Sequence, residues 1–304
     1  LLEFDVSTMQ FKHNDQNALQ LDVLVIDEAS MLDVFLMLSV LKAMPYHAHL
    51  ILIGDTDQLP SVGAGNVLHD LIASEIIPTI QLTQIFRQAE NSLIIQNAHR
   101  INKGEFPAFS LENTKRDFIY VKENEPTNVP ALLKRIYAKV GNPKNAIVLV
   151  PMNRGAVGTV SLNHVQQQLL NGAETEKQLS FGGTTFKVGD AVMQIRNNYD
   201  KFVFNGDIGS IEDINTQDRT IMVRYIDQLV EYESTEFDEL VLAYAISIHK
   251  SQGSEFDTVI IPIFMQHFTL LQRNLIYTAV TRAKRFCILI GQPKAIAMAI
   301  KNNK

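Results

Sequence analysis

The chain has 304 residues, on the order of two domains, and 46% hydrophobic against 20% charged residues gives it the make-up of a soluble globular protein with a large core. No apolar run reaches the ~18 residues of a membrane span and no signal peptide opens the chain, so no membrane partner is expected. A net charge of −6 argues against a broad electrostatic coat of nucleic acid while leaving room for a local basic groove.

The single cysteine, Cys287, lies within Phe286-Cys287-Ile288-Leu289-Ile290 and reads as a buried core thiol. A disulfide framework within one chain is excluded, which fits a cytoplasmic protein.

In chain order, Leu21 to Ile26 is an unalternating apolar run that suits a strand buried on both faces of a parallel sheet. Asp33 to Met44 begins with a cap residue and reads as a helix. His49 to Ile53 reads as a second strand, Asn66 to Ser74 as a helix, Thr79 to Leu82 as a short strand and Ser92 to Asn102 as a helix. This alternation indicates an α/β layer fold. The stretch Gly104 to Asn113 breaks the pattern and marks a boundary, giving expected domains at 1–106 and 107–304.

The second α/β unit starts with strands at Phe118 to Val121 and Ala146 to Val150 and helices at Val129 to Val140 and Gly155 to Asn171. From about Phe186 to Tyr232 the period changes to short alternating segments separated by turns such as Asn205-Gly206-Asp207. This predicts a small antiparallel barrel, about 184–236, inserted in the unit. The α/β pattern resumes at Leu240 to Ser247 and continues through a strand at Val259 to Pro262, a helix at Leu270 to Thr281, a strand at Arg285 to Ile290 and a helix at Pro293 to Lys301.

The chemistry gathers at the ends of these elements. Asp27 and Glu28 close the first strand, where open α/β sheets bind ligands. One carboxylate there can hold Mg²⁺ and the next can orient a water for attack on a phosphoryl group; the pair equally suits a strand that ends in a solvated turn. Gly54-Asp55-Thr56-Asp57-Gln58-Leu59-Pro60 brings an amide to the same edge, where Gln58 suits sensing a terminal phosphate or simply fills a polar turn.

Arg87, in Ile85-Phe86-Arg87-Gln88, is either a planar fork for phosphate oxygens or a surface arginine. Ile248 to Phe256 runs from an apolar strand into a polar glycine turn. Its Lys250, Ser251 and Gln252 suit a nucleic-acid backbone or a nucleotide; the same residues also suit a capped helix start. Arg282 ends the Tyr277 to Ala283 stretch, as a charge stabiliser for a transferring phosphoryl group or as a helix-end cation favoured by the macrodipole.

Taken together and in order, these stretches resemble superfamily-one DNA helicases, closely the RecD-like family of exonuclease V alpha subunits and their stand-alone relatives. Asp27-Glu28-Ala29-Ser30 looks like motif II, Gly54 to Pro60 like motif III, Phe86-Arg87-Gln88 like motif IV, Ile248 to Phe256 like motif V and Tyr277 to Ala283 like motif VI. Asn97 to Asn102 and Asn197 to Gly209 also look like this family.

The resemblance implies two RecA-like motor domains with ATP between them, an SH3-like barrel inserted in the second, and 5′ to 3′ travel on single-stranded DNA. It implies that Asp27 helps hold Mg²⁺ through water, Glu28 orients the hydrolytic water, Gln58 senses the γ-phosphate, and Arg87 and Arg282 contact it. Gly253 and Glu255 would belong to the nucleotide side of motif V. His249, Lys250, Ser251 and Gln252, with Asn198, would meet DNA.

The implied setting is DNA repair and recombination, at single strands and duplex junctions and with possible nuclease-helicase partner subunits. No Gly-rich stretch followed by Gly-Lys-Ser/Thr occurs in these residues. The expectation is therefore a carboxyl-terminal fragment with a truncated first motor domain, itself inactive as an ATPase. The alternative is a non-catalytic DNA- or partner-binding module that keeps the helicase shape.

Overall fold

The computed structural model describes residues 1–5, 8–82, 92–109, 116–140, 146–173 and 176–303. The chain divides into two compact units, Leu1–Gln88 and Ala89–Lys304.

The first unit opens with an antiparallel pair, β1 (Phe4–Asp5) and β2 (Gln10–Phe11). A parallel pair follows, β3 (Val23–Ile26) and β4 (His49–Leu52), in register from Val23 opposite His49 to Ile26 opposite Leu52. Helix α1 (Val34–Ala43) connects them, and α2 (Val67–Ala73) comes after β4. As the sequence indicates, Asp33 caps α1, its carboxylate accepting from Leu36 N at 2.7 Å. Leu24 packs with Val40 and Ala43, so α1 covers one face of the pair.

The other face departs from expectation. Side chains alternate across a strand, and Val23 and Val25 are 50% and 53% exposed, as are Ile51 and Ile53 at 48% and 50%. Among the described residues nothing covers them, so β3 is buried on one face. The strand expected at Thr79 to Leu82 does not form: the segment is irregular, with Ile80 and Leu82 exposed, and among the described residues it pairs with no strand.

The second unit begins with α3 (Leu93–Asn102), which the sequence reading assigned to the first domain. Its attachment explains the difference. Asp117 accepts from Ser92 Oγ at 2.6 Å, Leu93 N at 2.9 Å and Ile94 N at 3.2 Å, so a buried carboxylate from the second unit serves as the helix's N-cap.

Then come β5 (Phe118–Lys122), α4 (Val129–Val140), β6 (Ala146–Val150) and α5 (Thr159–Leu170). After the inserted barrel follow β14 (Ala245–Ser247), β15 (Phe256–Ile263), α6 (Arg273–Thr281), β16 (Ala283–Gly291) and α7 (Pro293–Lys301). The five strands form a parallel sheet in the order β14-β6-β15-β16-β5. Its central strand β15 carries Val259, Ile260, Ile261 and Ile263 with no exposure, the two-faced burial of a helix-covered parallel sheet. Cys287 is fully buried in β16, and burial pushes its thiol pKa up.

The insertion is larger than expected. A hairpin of β7 (Gln178–Phe181) and β8 (Thr184–Lys187) precedes an antiparallel sheet of β9 (Ala191–Gln194), β10 (Ile208–Asn215), β11 (Thr220–Arg224), β12 (Leu229–Tyr232) and β13 (Leu240–Leu242), ordered β12-β11-β10-β9-β13. These strands curl around one core that includes Leu179, Phe186, Ile211, Tyr232 and Phe237. Leu240–Leu242, read above as a return to the parallel layer, pairs antiparallel with β9 and belongs to the barrel. An apolar triplet fits either sheet, and only its pairing decides. The first and last strands of the five-stranded sheet, β9 and β13, are neighbours, so the chain enters and leaves that sheet at one place.

The junction is polar and buried. Asp190, with no exposure, accepts from Gln167 Nε2 at 2.6 Å, Asn171 Nδ2 at 2.7 Å, Lys187 N at 2.8 Å and Tyr244 OH at 2.8 Å.

Candidate functional site

In the first unit the parallel register of β3 and β4 sends Asp27 to Ser30 and Gly54 to Pro60 to the same sheet edge. Two backbone bonds join the loops: Ile53 N donates to Ile26 O at 2.8 Å and Ala29 N to Ile53 O at 2.8 Å. Gly54 permits this approach. A Cβ there would lie 3.0 Å from Ser30 N, 3.1 Å from Ala29 N and 2.8 Å from Leu68 Cδ2. Asp27 is exposed, and its carboxylate accepts from Glu28 N at 2.8 Å.

Glu28 sits in the left-handed region, φ 51 and ψ 37, ahead of a 3-10 turn at Ala29–Met31. A non-glycine residue held there carries about 1–3 kcal/mol of strain, which accumulates at functional sites. Gln58 closes a turn in which its Nε2 donates to Asp55 Oδ2 at 3.3 Å and its backbone N to Asp55 O at 3.3 Å. The structure thus brings the loops of Asp27, Glu28 and Gln58 together. Arg87 lies outside the described residues.

Among the described residues no group of three or more His, Cys, Asp or Glu side chains is placed to hold a metal ion. Mg²⁺ does not need one. It keeps several waters and takes one or two carboxylates with phosphate oxygens, a role that the exposed Asp27 carboxylate fits.

In the second unit β14 runs into a 3-10 turn, Ile248–Ser251, capped by Ser247, whose hydroxyl accepts from Lys250 N at 3.3 Å. Ser251 departs from its expected DNA role: it is fully buried, and its hydroxyl donates to Ile248 O at 2.8 Å. His249 and Lys250 are half-buried, and burial lowers the pKa of both. The Lys250 ammonium donates to Asn205 Oδ1 in the barrel turn.

Asn198 organises its own loop. Its side chain donates to Glu239 Oε2 at 3.2 Å and accepts from Lys201 N at 3.1 Å. Gln252 is half-buried, its backbone N donating to His249 O at 3.4 Å. Gly253, at φ +74, needs a residue without Cβ strain. Glu255 pairs with Lys284 at 3.3 Å.

Arg282 follows the end of α6 but is 5% exposed, and its Nη1 donates to Ser254 O at 3.2 Å. Its backbone carbonyl accepts from Phe256 N at 2.9 Å. The arginine of the sixth motif therefore braces the turn of the fifth. The sequence reading missed Asn205 as the partner of Lys250. The signal was present, because Asn205-Gly206-Asp207 is a turn whose first side chain is free to reach outward.

These features agree with comparisons to known proteins. The AAA domain family matches residues 5–123, the SH3 domain of ATP-dependent RecD-like DNA helicases matches 162–225, and the UvrD-like helicase C-terminal domain matches 242–290. The ATP-dependent RecD2 DNA helicase of Deinococcus radiodurans is 38% identical over 289 residues, covering 95% of this chain and 39% of that protein. The RecBCD enzyme subunit RecD of Mycolicibacterium smegmatis is 30% identical over 313 residues, covering 97% of this chain and 54% of that protein.

In fold, the chain is similar to a Bacteroides Pif1 helicase in complex with ADP-AlF3 and ssDNA (TM-score 0.55, 20% identity, 94% of this chain and 73% of that chain). It is also similar to the Candida albicans Pif1 helicase (TM-score 0.56, 18% identity, 91% and 73%). The parallel sheet, the inserted SH3-like barrel and the ordered loops come together here, and the chain belongs to the RecD-like family of superfamily-one helicases.

Proposed function

We propose that the chain is part of the working apparatus of an ATP-driven DNA helicase that moves 5′ to 3′ along single-stranded DNA. The observation that carries this reading is the joining of the Asp27–Glu28 loop to the Gly54–Gln58 loop at one sheet edge, within a chain of RecD-like sequence. ATP supplies, when bound, the phosphoanhydride bond whose cleavage drives movement.

Asp27 would help hold Mg²⁺, which would neutralise charge on the phosphates; Glu28 orients the attacking water and takes up its proton, and Gln58 reads the terminal phosphate. Arg87 and Arg282 serve the same phosphate. For Arg282 this role requires its guanidinium to leave Ser254 O. His249, Lys250, Gln252 and Asn198 line the DNA side, and Gly253 and Glu255 link that side to the nucleotide. Single strands, duplex junctions and nuclease-helicase subunits are the partners this reading implies, in repair and recombination.

These 304 residues contain no Gly-Lys-Ser/Thr loop, so by themselves they hydrolyse ATP at background rate. That same observation favours the rival reading of a non-catalytic binding module. Steady-state ATPase with saturating single-stranded DNA, measured on the product of the complete reading frame, separates the two. Glu28→Gln should lower turnover by about 10²- to 10⁴-fold with DNA binding retained, and only duplexes with a 5′ tail should be unwound. Near-wild-type turnover in Glu28→Gln refutes the catalytic assignment.

A further inference from the structure

Between β9 and β10 the chain forms a small hairpin whose backbone is fixed and whose aromatic rings point out. Asn198 and Val203 exchange both backbone bonds, at 2.8 and 3.1 Å. Val203 is fully buried in the barrel core and anchors the loop. Around it Tyr199, Phe202 and Phe204 are 37%, 73% and 41% exposed. Tyr199 and Phe204 meet edge to face with centroids 6.0 Å apart.

The loop is held by side chains at nearly every step. Asn198 Oδ1 accepts from Lys201 N at 3.1 Å, Gln228 Nε2 donates to Phe202 O at 2.9 Å, Asp207 Oδ2 accepts from Phe204 N at 2.8 Å and Asn197 Oδ1 accepts from Asn205 N at 3.0 Å. A buried chain of hydrogen bonds supports it from below. Tyr232 OH donates to Gln194 Oε1 at 2.9 Å, and Gln194 Nε2 donates to Glu239 Oε2 at 2.7 Å, the oxygen that also takes Asn198.

Phe202 sits at φ 53, a conformation that an L side chain adopts at a cost of about 1–3 kcal/mol. Strain in a fixed backbone that ends in the most exposed ring of the loop is poorly explained by folding, which would bury the ring. Fixed exposed rings serve base stacking, because every base offers a π-face and a rigid ring loses little entropy on contact. The chemistry beside the rings fits a nucleic-acid strand. Asn205, next after Phe204, holds the Lys250 ammonium, and His249 adjoins it. A cation at the edge of the aromatic patch matches a phosphate backbone running past stacked bases.

We propose that Tyr199, Phe202 and Phe204 form a platform on which bases of single-stranded DNA stack, with Lys250 beside the strand's backbone. This rests on the DNA-motor reading and assigns base contact within it to the barrel loop. The contact is sequence-tolerant, because every base offers a π-face.

The test is fluorescence anisotropy with the 304-residue chain and two labelled probes, an oligothymidylate of about 15 nucleotides and its abasic counterpart of equal charge. Wild type should bind the thymidylate more tightly than the abasic strand. Phe202→Ala with Phe204→Ala should weaken thymidylate binding by on the order of 10-fold or more, leave abasic binding unchanged and keep the salt dependence. Phe202→Tyr should restore the preference. Lys250→Gln should instead weaken both probes and lower the salt slope by about one.

Equal binding of both probes by wild type, or unaltered thymidylate binding by the double variant, overturns the platform and leaves the motor reading standing. Failure to bind either probe overturns both. Concentration-dependent dimerisation that the double variant abolishes, with thymidylate binding intact, also overturns the platform by identifying the rings as a contact between copies.

Discussion

Asp190 offers the sharpest test of how the barrel is fastened to the α/β unit. Its carboxylate is fully buried, and among the described residues it has no ion-pair partner. Burying a charge of this kind costs several kcal/mol. The offset comes from four donors on three parts of the fold: Gln167 and Asn171 at the end of α5, Lys187 N in the barrel hairpin and Tyr244 ahead of β14. Hydrogen bonds to a charged acceptor contribute about 1.5–3 kcal/mol each before desolvation is subtracted.

Asp190→Ala leaves those donors without their acceptor and opens a cavity, so it should destabilise the second unit by about 3–5 kcal/mol. Asp190→Asn keeps one acceptor oxygen but sets an amide NH₂ against donors, and should cost about 2 kcal/mol. Urea unfolding followed by tyrosine fluorescence measures this directly. The chain has no Trp, and every tyrosine except Tyr46 lies in the second unit. A loss below about 1 kcal/mol in Asp190→Ala, the level of an ordinary surface change, refutes the junction argument.

Three further outcomes are expected. His267 is fully buried, its Nδ1 accepting from Phe264 N at 3.2 Å, and burial holds its pKa down at about 4. The unfolded chain therefore binds a proton that the folded chain refuses. Stability is full above about pH 6.5 and falls as pH drops toward 4, by on the order of 3 kcal/mol; urea midpoints against pH should flatten in His267→Asn, and an unchanged acid slope contradicts the assignment.

Gly54→Ala places a methyl group against Ser30 N and Ala29 N and should cost about 1–3 kcal/mol of stability in the first unit by overpacking; a thermal midpoint equal to wild type shows that the two loops are not in close contact. Arg282→Ala removes the donor to Ser254 O and should lower stability by about 1–3 kcal/mol, with Lys a poor substitute for the planar fork. A loss of turnover in the complete protein with an unmoved thermal midpoint would instead favour a phosphate contact.

Much of the α/β framework was legible because its signals are local. A capped apolar helix such as α1 and the apolar run Val259 to Ile263 of β15 carry their assignment in a few residues. That the loops of Asp27 and Gly54 share one sheet edge was legible because each follows an apolar run of strand length, and the two runs pair in parallel. What the sequence hid was decided by tertiary pairing. Leu240-Val241-Leu242 suits either sheet, and Gln178-Leu179-Ser180-Phe181, outside the expected barrel, joins it only through its pairing with Thr184 to Lys187. The cap of α3 comes from Asp117, 24 residues beyond Leu93, outside any window in which a local cap signal is read. Arg282 was read as a phosphate contact or a helix-end cation, since nothing in a helix-end arginine announces burial against a neighbouring turn.

Side-chain amides connect these observations. An amide donates and accepts at once, so it can satisfy both backbone groups of a neighbouring residue without introducing charge. Asn163 does this with Ala245 at 2.8 and 2.8 Å, fixing α5 to β14, and Asn97 does it with Ala108 at 2.8 and 2.7 Å. In the barrel loop Asn197, Asn198 and Gln228 hold the backbone that presents the rings, and Asn205 takes the Lys250 ammonium. Lysines in their place would have no acceptor atom to offer the backbone N–H groups. A chain of net charge −6 therefore fixes this loop in shape largely through uncharged groups, while the Lys201 ammonium is taken up by Glu236 and that of Lys250 by Asn205.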